Sequence, residues 1–373
     1  MKNNRPIFKR IAIKVGSNVI ADSDGSLNSG RILRIVEEVA ILYKRGIEVI
    51  LISSGAVAAG RSEVSVSKKT NIIAARQIWA AIGQTKLMSS YQFLFSKYLI
   101  QAGQVLTTKE SFMDRRHYLN MKNCISAMLE NHVLPIVNEN DTISINELMF
   151  TDNDELSGLI SSMMGCDTLI ILSNVDGVFN GVPGMEGTEL IREIDEASED
   201  MGKYISTAKS GLGRGGMLSK CSVARKIASE GIDVFIANGG RESIITDIVR
   251  KKDVPFTHFV AYHETRNGVK KWLSHSDTFA RGIVYINTGA REALLDEKAS
   301  SLLMIGITGI EGFFKKGDII QIFDESGKAI GLGRSQYDSK KAEQFIGQKV
   351  SKPLIHYDYM VINGKERGVR SEQ

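Results

Sequence analysis

The chain has 373 residues, 43% of them hydrophobic and 24% charged, the balance of a globular protein with material for two cores. A formal net charge of +4 is too mild to mark a nucleic-acid-binding protein, and no run approaches the ~18 apolar residues of a membrane span. The opening "MKNNRPIFKR" lacks the apolar stretch of a signal peptide, and Cys124, Cys166 and Cys221 show no C-x-x-C spacing; they read as reduced core thiols of a cytoplasmic protein.

In chain order, "RIAIKVGS" reads as a strand ending in a glycine turn. "NSGRILRIVEEVAILYKRG" is an amphipathic helix with Ile32, Ile35, Val36, Val39 and Leu42 on one face, stopping at Gly46. "IEVILISSGAVAAG" is a buried strand running into a helix start, and helical stretches follow around 71–98. Next come the strand "GQVLTT", a helix near 116–131 and the strand "VLPIVNEND". A helix starts near Asp152–Asp154 and ends at Gly165, "DTLIILSNVDGVF" is a strand and turn, and the helix "MLSKCSVARKIASEGI" leads into "DVFIANGG". This alternation predicts an α/β domain over 1–262, a mainly parallel open sheet sandwiched by helices. Residues 263–275 are polar and basic and read as a linker. A small β-rich domain follows over 276–360, with a helix at "AREALLDEKA" and a hairpin turn at "ESGK".

Open α/β sheets bind ligands beyond the carboxyl ends of their strands. The residues gathered there are Lys14 and Gly16; Ser53, Ser54 and Gly55; Asn138 through Asp141; Asp152, Asn153 and Asp154; Ser173, Asn174 and Asp176; and "GRGGMLSK", ending in Lys220. Glycines at strand-to-helix turns let backbone N–H groups approach phosphate, and lysines neutralise it. Each element has a plainer reading: Gly16 as an ordinary turn, "SSGA" as a capped helix start, "TDNDE" as a cap complementing a helix dipole. Lys14 is harder to explain so, because a lysine inside the run Ile11–Val15 costs burial energy unless it is paired. Together the parts suit phosphoryl transfer, which is mostly positioning and electrostatics.

The stretch "SGLGRGGMLSK" contains G-x-G-x-x-G at Gly211, Gly213 and Gly216. A dinucleotide fingerprint should directly follow a buried strand, but a polar, helix-like stretch precedes this one. A Walker A loop has its lysine next to the last glycine, whereas Lys220 stands about one helical turn past Gly216. The spacing suits a lysine reaching back from the first turns of a helix.

"IKVGSN", "SSGAVAAG", "VNENDTIS", "TDNDELSGLISSMMGCDTLIILS" and "GLGRGGMLSK", in that order, resemble the glutamate 5-kinases of the amino acid kinase superfamily. The resemblance runs over roughly 8–260, and the tail is similar to that family's PUA domain. It implies ATP-dependent phosphorylation of the side-chain carboxylate of L-glutamate, the first step of proline synthesis, with Mg²⁺ bridging the phosphates of ATP. By motif it makes Lys14 and Lys220 the groups that stabilise the transferring phosphoryl, with Asp154 holding them. Ser54, Asp141 and Asn153 would bind glutamate, with Asp152 nearby. Lys14, Gly16, Ser173, Asn174, Arg214, Gly215, Gly216, Met217, Leu218, Ser219 and Lys220 would contact the nucleotide. No metal-ligand set of the protein's own is expected.

A free amino acid fits this set, because its α-ammonium requires carboxylates such as Asp141 and Asp152. The attacking carboxylate oxygen is already an anion and needs no general base, consistent with the lack of a histidine or cysteine dyad. Two positions depart from the family pattern: Asn174 replaces an expected aspartate, and Arg214 an expected small residue, often threonine. The resemblance also implies proline as a feedback inhibitor overlapping the glutamate pocket near 61–71, and a dimer or tetramer. Rival readings are an N-acetylglutamate or uridylate kinase of the same superfamily, or an RNA-binding protein acting through the tail, with "RNGVKK" and "FFKKGD" as its basic segments.

Overall fold

A computed structural model describes residues 8–144, 153–195 except 182 and 184, 216–262, 280–296 and 300–362. Contacts divide the chain into two units, Met1–Thr265 and Arg266–Gln373.

The first unit is built on an eight-stranded sheet. Its strands are β1 (Arg10–Val15), β2 (Glu48–Ser53), β3 (Gln101–Thr107), β4 (Val133–Glu139), β5 (Thr168–Ser173), β8 (Glu193–Ile194), β9 (Asp233–Asn238) and β10 (Phe256–Phe259), in spatial order β3-β4-β2-β1-β5-β9-β10-β8. The six strands from β3 to β9 in that order are parallel; β10 runs antiparallel to β9 and parallel to β8. Val178–Phe179 (β6) and Leu190–Ile191 (β7) form a separate small hairpin. After β1 the chain builds to one side (β2, β4, β3), and from β5 onward to the other. The reversal falls between β1 and β5, where an open sheet of this kind leaves a crevice at its carboxyl edge.

The helices cover the sheet as amphipathic segments. Helix α2 (Ser29–Lys44, after the short α1, Ser17–Ile20) buries Ile32, Ile35, Val36, Val39 and Leu42 against Ile11, Ile13 and Val15 of β1. Asn28 caps it by accepting from Arg31 N at 3.0 Å, and the chain leaves it through Gly46 at φ 76°. Helix α3 (Ala56–Glu63) and the 25-residue α4 (Ile72–Ser96) cross in near backbone contact. A Cβ on Gly83 would lie 1.8 Å from Ala56 O, so only glycine permits this approach. Helices α5 (Lys109–Met113), α6 (Arg115–Glu130), α7 (Asn153–Met164), α8 (Met217–Ala228) and α9 (Ile244–Val249) complete the unit.

Cys166 and Cys221 are buried thiols, and burial pushes each up to about 12. Cys124 corrects the sequence reading: it is exposed on the outer face of α6, whose buried stripe is Tyr118, Met121, Ile125 and Leu129.

The second unit is a five-stranded sheet of β11 (Gly282–Ile286), β12 (Ile307–Glu311), β13 (Ile319–Asp324), β14 (Ala329–Ser335) and β15 (Ile355–Ile362), in the order β12-β11-β13-β14-β15. Only β11 and β13 pair in parallel. Helices α10 (Thr288–Leu295) and α11 (Ser339–Glu343) flank its core of Val284, Ile286, Ile320, Ile322 and Ile355. The "ESGK" turn joins β13 to β14, and the 263–275 segment lies outside the described residues.

One charge breaks the apolar pattern of α2. Glu38 is buried and accepts a hydrogen bond from Thr246 N at 2.9 Å, in the first turn of α9. Burial raises its pKa from an ordinary 4.5 to about 7, against the opposing pull of the Thr246 contacts. Between those values the folded chain holds a proton that the unfolded chain has released, so stability falls as pH rises through that window. At 1.36 kcal/mol per pKa unit this group accounts for at most about 3 kcal/mol. The Glu38→Gln variant keeps an acceptor for Thr246 N and is expected to flatten that fall, read as urea-unfolding free energy at pH 5 and pH 8. An unchanged pH slope would show that Glu38 is ionised in the folded state.

Candidate functional site

The carboxyl ends of β1, β5 and β9 meet at the topological reversal. Gly16 N donates to Leu172 O at 3.4 Å, and Gly239 N to Ser173 O at 2.8 Å. Side chains would crowd these turns: a Cβ on Gly16 would stand a tight 3.3 Å from Leu172 O, and one on Gly239 2.6 Å from Val19 Cγ1. The result is a floor of glycine backbone, partly open to solvent, beside the end of β1.

Lys14 rises from that edge. Strand alternation sends Ile11, Ile13 and Val15 to the α2 face and Lys14 to the α7 face. There its ammonium lies 2.6 Å from Asp154 Oδ1, with the lysine side chain 6% exposed and the aspartate 0%. Lys220, in the first turn of α8, puts its Nζ 2.8 Å from Asp154 Oδ2. One carboxylate is therefore shared, one oxygen to each ammonium. Burial alone would raise the Asp154 pKa, but Lys14 and Lys220 outweigh it and hold the group below the usual carboxylate range. Two cations and one anion leave one positive charge over in a nearly dry site, a strong attraction for an anionic ligand.

Packing fixes this geometry. Helices α7 and α8 run side by side from the Asp154–Lys220 contact. In the middle, a Cβ on Gly158 would be 3.0 Å from Val223 Cγ1 and 3.1 Å from Ile227 Cγ1. At the far end the buried Ser162 hydroxyl donates to the buried Glu230 carboxylate.

A second, neutral polar network lies toward β2 and β4. Asn153 Nδ2 donates to Ser54 Oγ at 2.8 Å and to Asn138 Oδ1 at 3.0 Å. Asn138 Nδ2 donates to Gln84 Oε1 at 2.8 Å, and Gln84 Nε2 to Gln104 Oε1 at 3.0 Å. Ser54 follows β2, directly before Gly55, whose φ of 106° turns the chain into α3. Asp141, four-fifths or more buried, pairs with Arg76 Nη2 of α4 at 2.8 Å, and Gln77 Nε2 donates to Thr142 O at 2.9 Å.

Of the residues expected from sequence, Lys14, Asp154 and Lys220 are in mutual contact, and Ser54 and Asn153 are hydrogen-bonded to each other. Ser173 is buried at the end of β5, and Asn174 beside it is exposed. Gly216 caps α8, and Met217, Leu218, Ser219 and Lys220 form its first turn. Asp152, Arg214 and Gly215 lie outside the described residues. Arg76, Gln84 and Gln104 were not singled out by sequence reasoning. Nor were Asn238 and Arg241, which grip Asp176: Arg241 bidentately at 2.7 Å and 2.7 Å, Asn238 at 3.0 Å. The Arg241 contact holds the Asp176 carboxyl below its ordinary value. No local spacing announces these residues, since Arg76 and Asp141 are 65 positions apart.

Replacing Asp154 by Asn would leave two ammoniums facing each other without a counter-charge. Breaking such a buried pair costs about 3–5 kcal/mol, which the Asp154→Asn variant should show in urea unfolding at pH 7. Removing Lys220 as well should restore part of the loss; a second, additive loss would contradict the shared-carboxylate reading.

The amino acid kinase family model matches residues 9–238, and the PUA domain model residues 282–357. A glutamate 5-kinase of Bacteroides thetaiotaomicron is 53% identical over 95% of this chain and 99% of its own length. Glutamate 5-kinases of Chlorobaculum tepidum (45% identical over 97% of this chain and 99% of that one) and Dictyoglomus thermophilum (37% over 91% and 91%) are also similar.

Proposed function

The chain belongs to the amino acid kinase family and, within it, to the glutamate 5-kinases, and on that premise we propose that it transfers the γ-phosphoryl group of ATP to the side-chain carboxylate of L-glutamate. The products are L-glutamyl 5-phosphate and ADP, at the head of proline synthesis. The observation that carries the chemistry is the Lys14–Asp154–Lys220 cluster beside the Gly16 turn. A carboxylate oxygen of glutamate attacks the γ-phosphorus as the bond to the leaving ADP oxygen breaks. No proton needs to be removed from the nucleophile, so the protein supplies position and charge. Lys14 and Lys220, held from opposite sides by one carboxylate, suit the negative charge spread over the equatorial phosphoryl oxygens and the leaving oxygen. Pairing them through Asp154 fixes both ammoniums before substrate arrives and limits their mutual repulsion.

Ser54, Asn153 and Asp141 make up the glutamate side, with the amide chain from Gln104 to Asn153 orienting Asn153. Asp141 supplies the charge for the α-ammonium. The turns after β1 and β5, and the start of α8 from Gly216 to Lys220, make up the nucleotide side. Among the described residues no three His, Cys, Asp or Glu side chains converge as a metal cage, and Asp154 is occupied by ammoniums. Mg²⁺ would enter as a partner of the triphosphate and would neutralise phosphate charge there. The same reading includes proline as a feedback inhibitor at the glutamate pocket near 61–71, a homo-oligomer of two or four chains, and a cytoplasmic enzyme. Among the described residues no helix is long and apolar enough to cross a membrane.

Purified protein with ATP, Mg²⁺ and L-glutamate should release ADP and form an acyl phosphate that hydroxylamine traps. Turnover of N-acetylglutamate or UMP in place of L-glutamate would overturn the reading. The Lys220→Ala variant is expected to lose about 100-fold or more in kcat with glutamate KM within about 3-fold, because its contact strengthens in the transition state. Asp141→Ala should instead raise glutamate KM by about 10- to 100-fold, the worth of a charged hydrogen bond, with little change in kcat.

A further inference from the structure

The reading above leaves half of the substrate's α-carbon unassigned. L-Glutamate carries an α-carboxylate beside its α-ammonium, and Asp141 answers only the ammonium. An α-carboxylate losing its water on binding requires donors, best of all charged ones. Arg76 stands beside Asp141, with Nη2 2.8 Å from Asp141 Oδ1. A guanidinium carries five N–H donors in a planar fork. Among the described residues the Arg76 hydrogen-bond partner is Asp141, through Nη2, and its Nε is buried with no partner. An arginine recruited only to hold an aspartate does not need a second, desolvated donor left unsatisfied at that cost.

The placement of Arg76 is also rigid. It lies in the first turns of α4, which Gln77 ties to Thr142 O at 2.9 Å and Gln84 ties to Asn138 at 2.8 Å. The glycine crossing with α3 locks the same helix to the one that follows Ser54. Arg76 is thus carried on the scaffold that builds the glutamate side of the site.

Resting on the proposed glutamate 5-kinase reading, we infer that Arg76 is a specificity-determining residue that binds the α-carboxylate of the substrate, so that Arg76 and Asp141 together recognise the zwitterionic end of a free α-amino acid. Each charge of the zwitterion meets its opposite, and the protein pair, mutually neutralised in the absence of substrate, has both charges satisfied again in the complex. An amino acid with a blocked ammonium would offer Asp141 no cation, and one without the α-carboxylate would leave the Arg76 fork unfilled. The same pair therefore rejects both.

The test compares two compounds. One is L-glutamate; the other is its α-amide, which keeps the side-chain carboxylate and the α-ammonium but is neutral at the α-carbonyl, assayed as a competitive inhibitor. The Arg76→Gln variant is expected to raise glutamate KM about 30-fold, the loss of a charged hydrogen bond, with kcat and ATP KM within about 3-fold. The inhibition constant of the α-amide should move by less than about 3-fold. An unchanged glutamate KM overturns the inference. So does an equal loss for both compounds, which would show that Arg76 acts only by holding Asp141. An unchanged ATP KM shows that the variant has folded, and Arg76→Lys, which keeps the charge, should recover part of the glutamate affinity. Failure of the wild-type chain to phosphorylate L-glutamate would instead bring down the parent reading.

Discussion

The site depends on one carboxylate serving two ammoniums. Asp154 is fully buried, with Lys14 and Lys220 at 2.6 Å and 2.8 Å on its two oxygens. Without Asp154 each would be a desolvated cation, and together they would repel. With it, the cluster is tolerable in the free protein yet still carries one positive charge in excess of neutrality. That residual charge is the functional quantity. It draws in an anion, and in a low-dielectric crevice it does so far more strongly than the same charges would on an open surface.

The constraint reaches back into the fold. Lys14 must leave the β1 face opposite α2, which places it under α7 and fixes Asp154 as the second residue of that helix. Lys220 must then come from a helix packed closely on α7. The Gly158 contact and the Ser162–Glu230 hydrogen bond set that packing along the whole length of α8. On the other side, Asn153 belongs to the same first turn as Asp154. The amide chain through Asn138, Gln84 and Gln104 therefore couples the neutral network to the charged one by a single peptide step. In the proposed mechanism substrate recognition and charge stabilisation share a helix end, so a shift of α7 would disturb both at once.

Part of this was legible in the sequence. Lys14 interrupts an apolar run, and a charge there requires a partner. Lys220 falls one helical turn past Gly216, which excludes a Walker A loop and points the ammonium back to the strand edge. The α2 stripe has the 3.6-residue period of a half-buried helix, and all five of its predicted residues are buried. Other features left no periodic trace. Helix α4 buries Tyr91 and Phe95 fully yet exposes Ile72, Ile73, Ile78 and Ile82, so its pattern does not separate an inner from an outer face. Its contribution to the site, Arg76 and Gln84, comes from long-range placement that only the glycine crossing with α3 makes possible. Cys124 was read as a core thiol from cysteine spacing, but α6 turns Tyr118, Met121, Ile125 and Leu129 inward and Cys124 outward. Glu38 sits on the buried stripe of α2 because its partner, Thr246 N, lies in a helix more than two hundred residues later.

The nature of the acceptor suits a site of cations and amides. A hydroxyl acceptor would need a group to remove its proton; a carboxylate is already ionised near neutral pH. Its difficulty is the reverse one, an anion approaching a polyanion. In the proposed mechanism the two lysines address that repulsion: Lys14 and Lys220 offset it at the phosphoryl group, and a depressed pKa keeps Asp154 ionised, so the two lysines stay clamped into the acid range. Asp141, whose oxygen is shared with Arg76, would on the same proposal contribute an anion only where the substrate presents a cation. A site built for carboxylate phosphorylation must be positive where the two anions meet and locally balanced where a zwitterion docks. The division between the two networks, joined at Asn153 and Asp154, is the form that requirement takes in this chain.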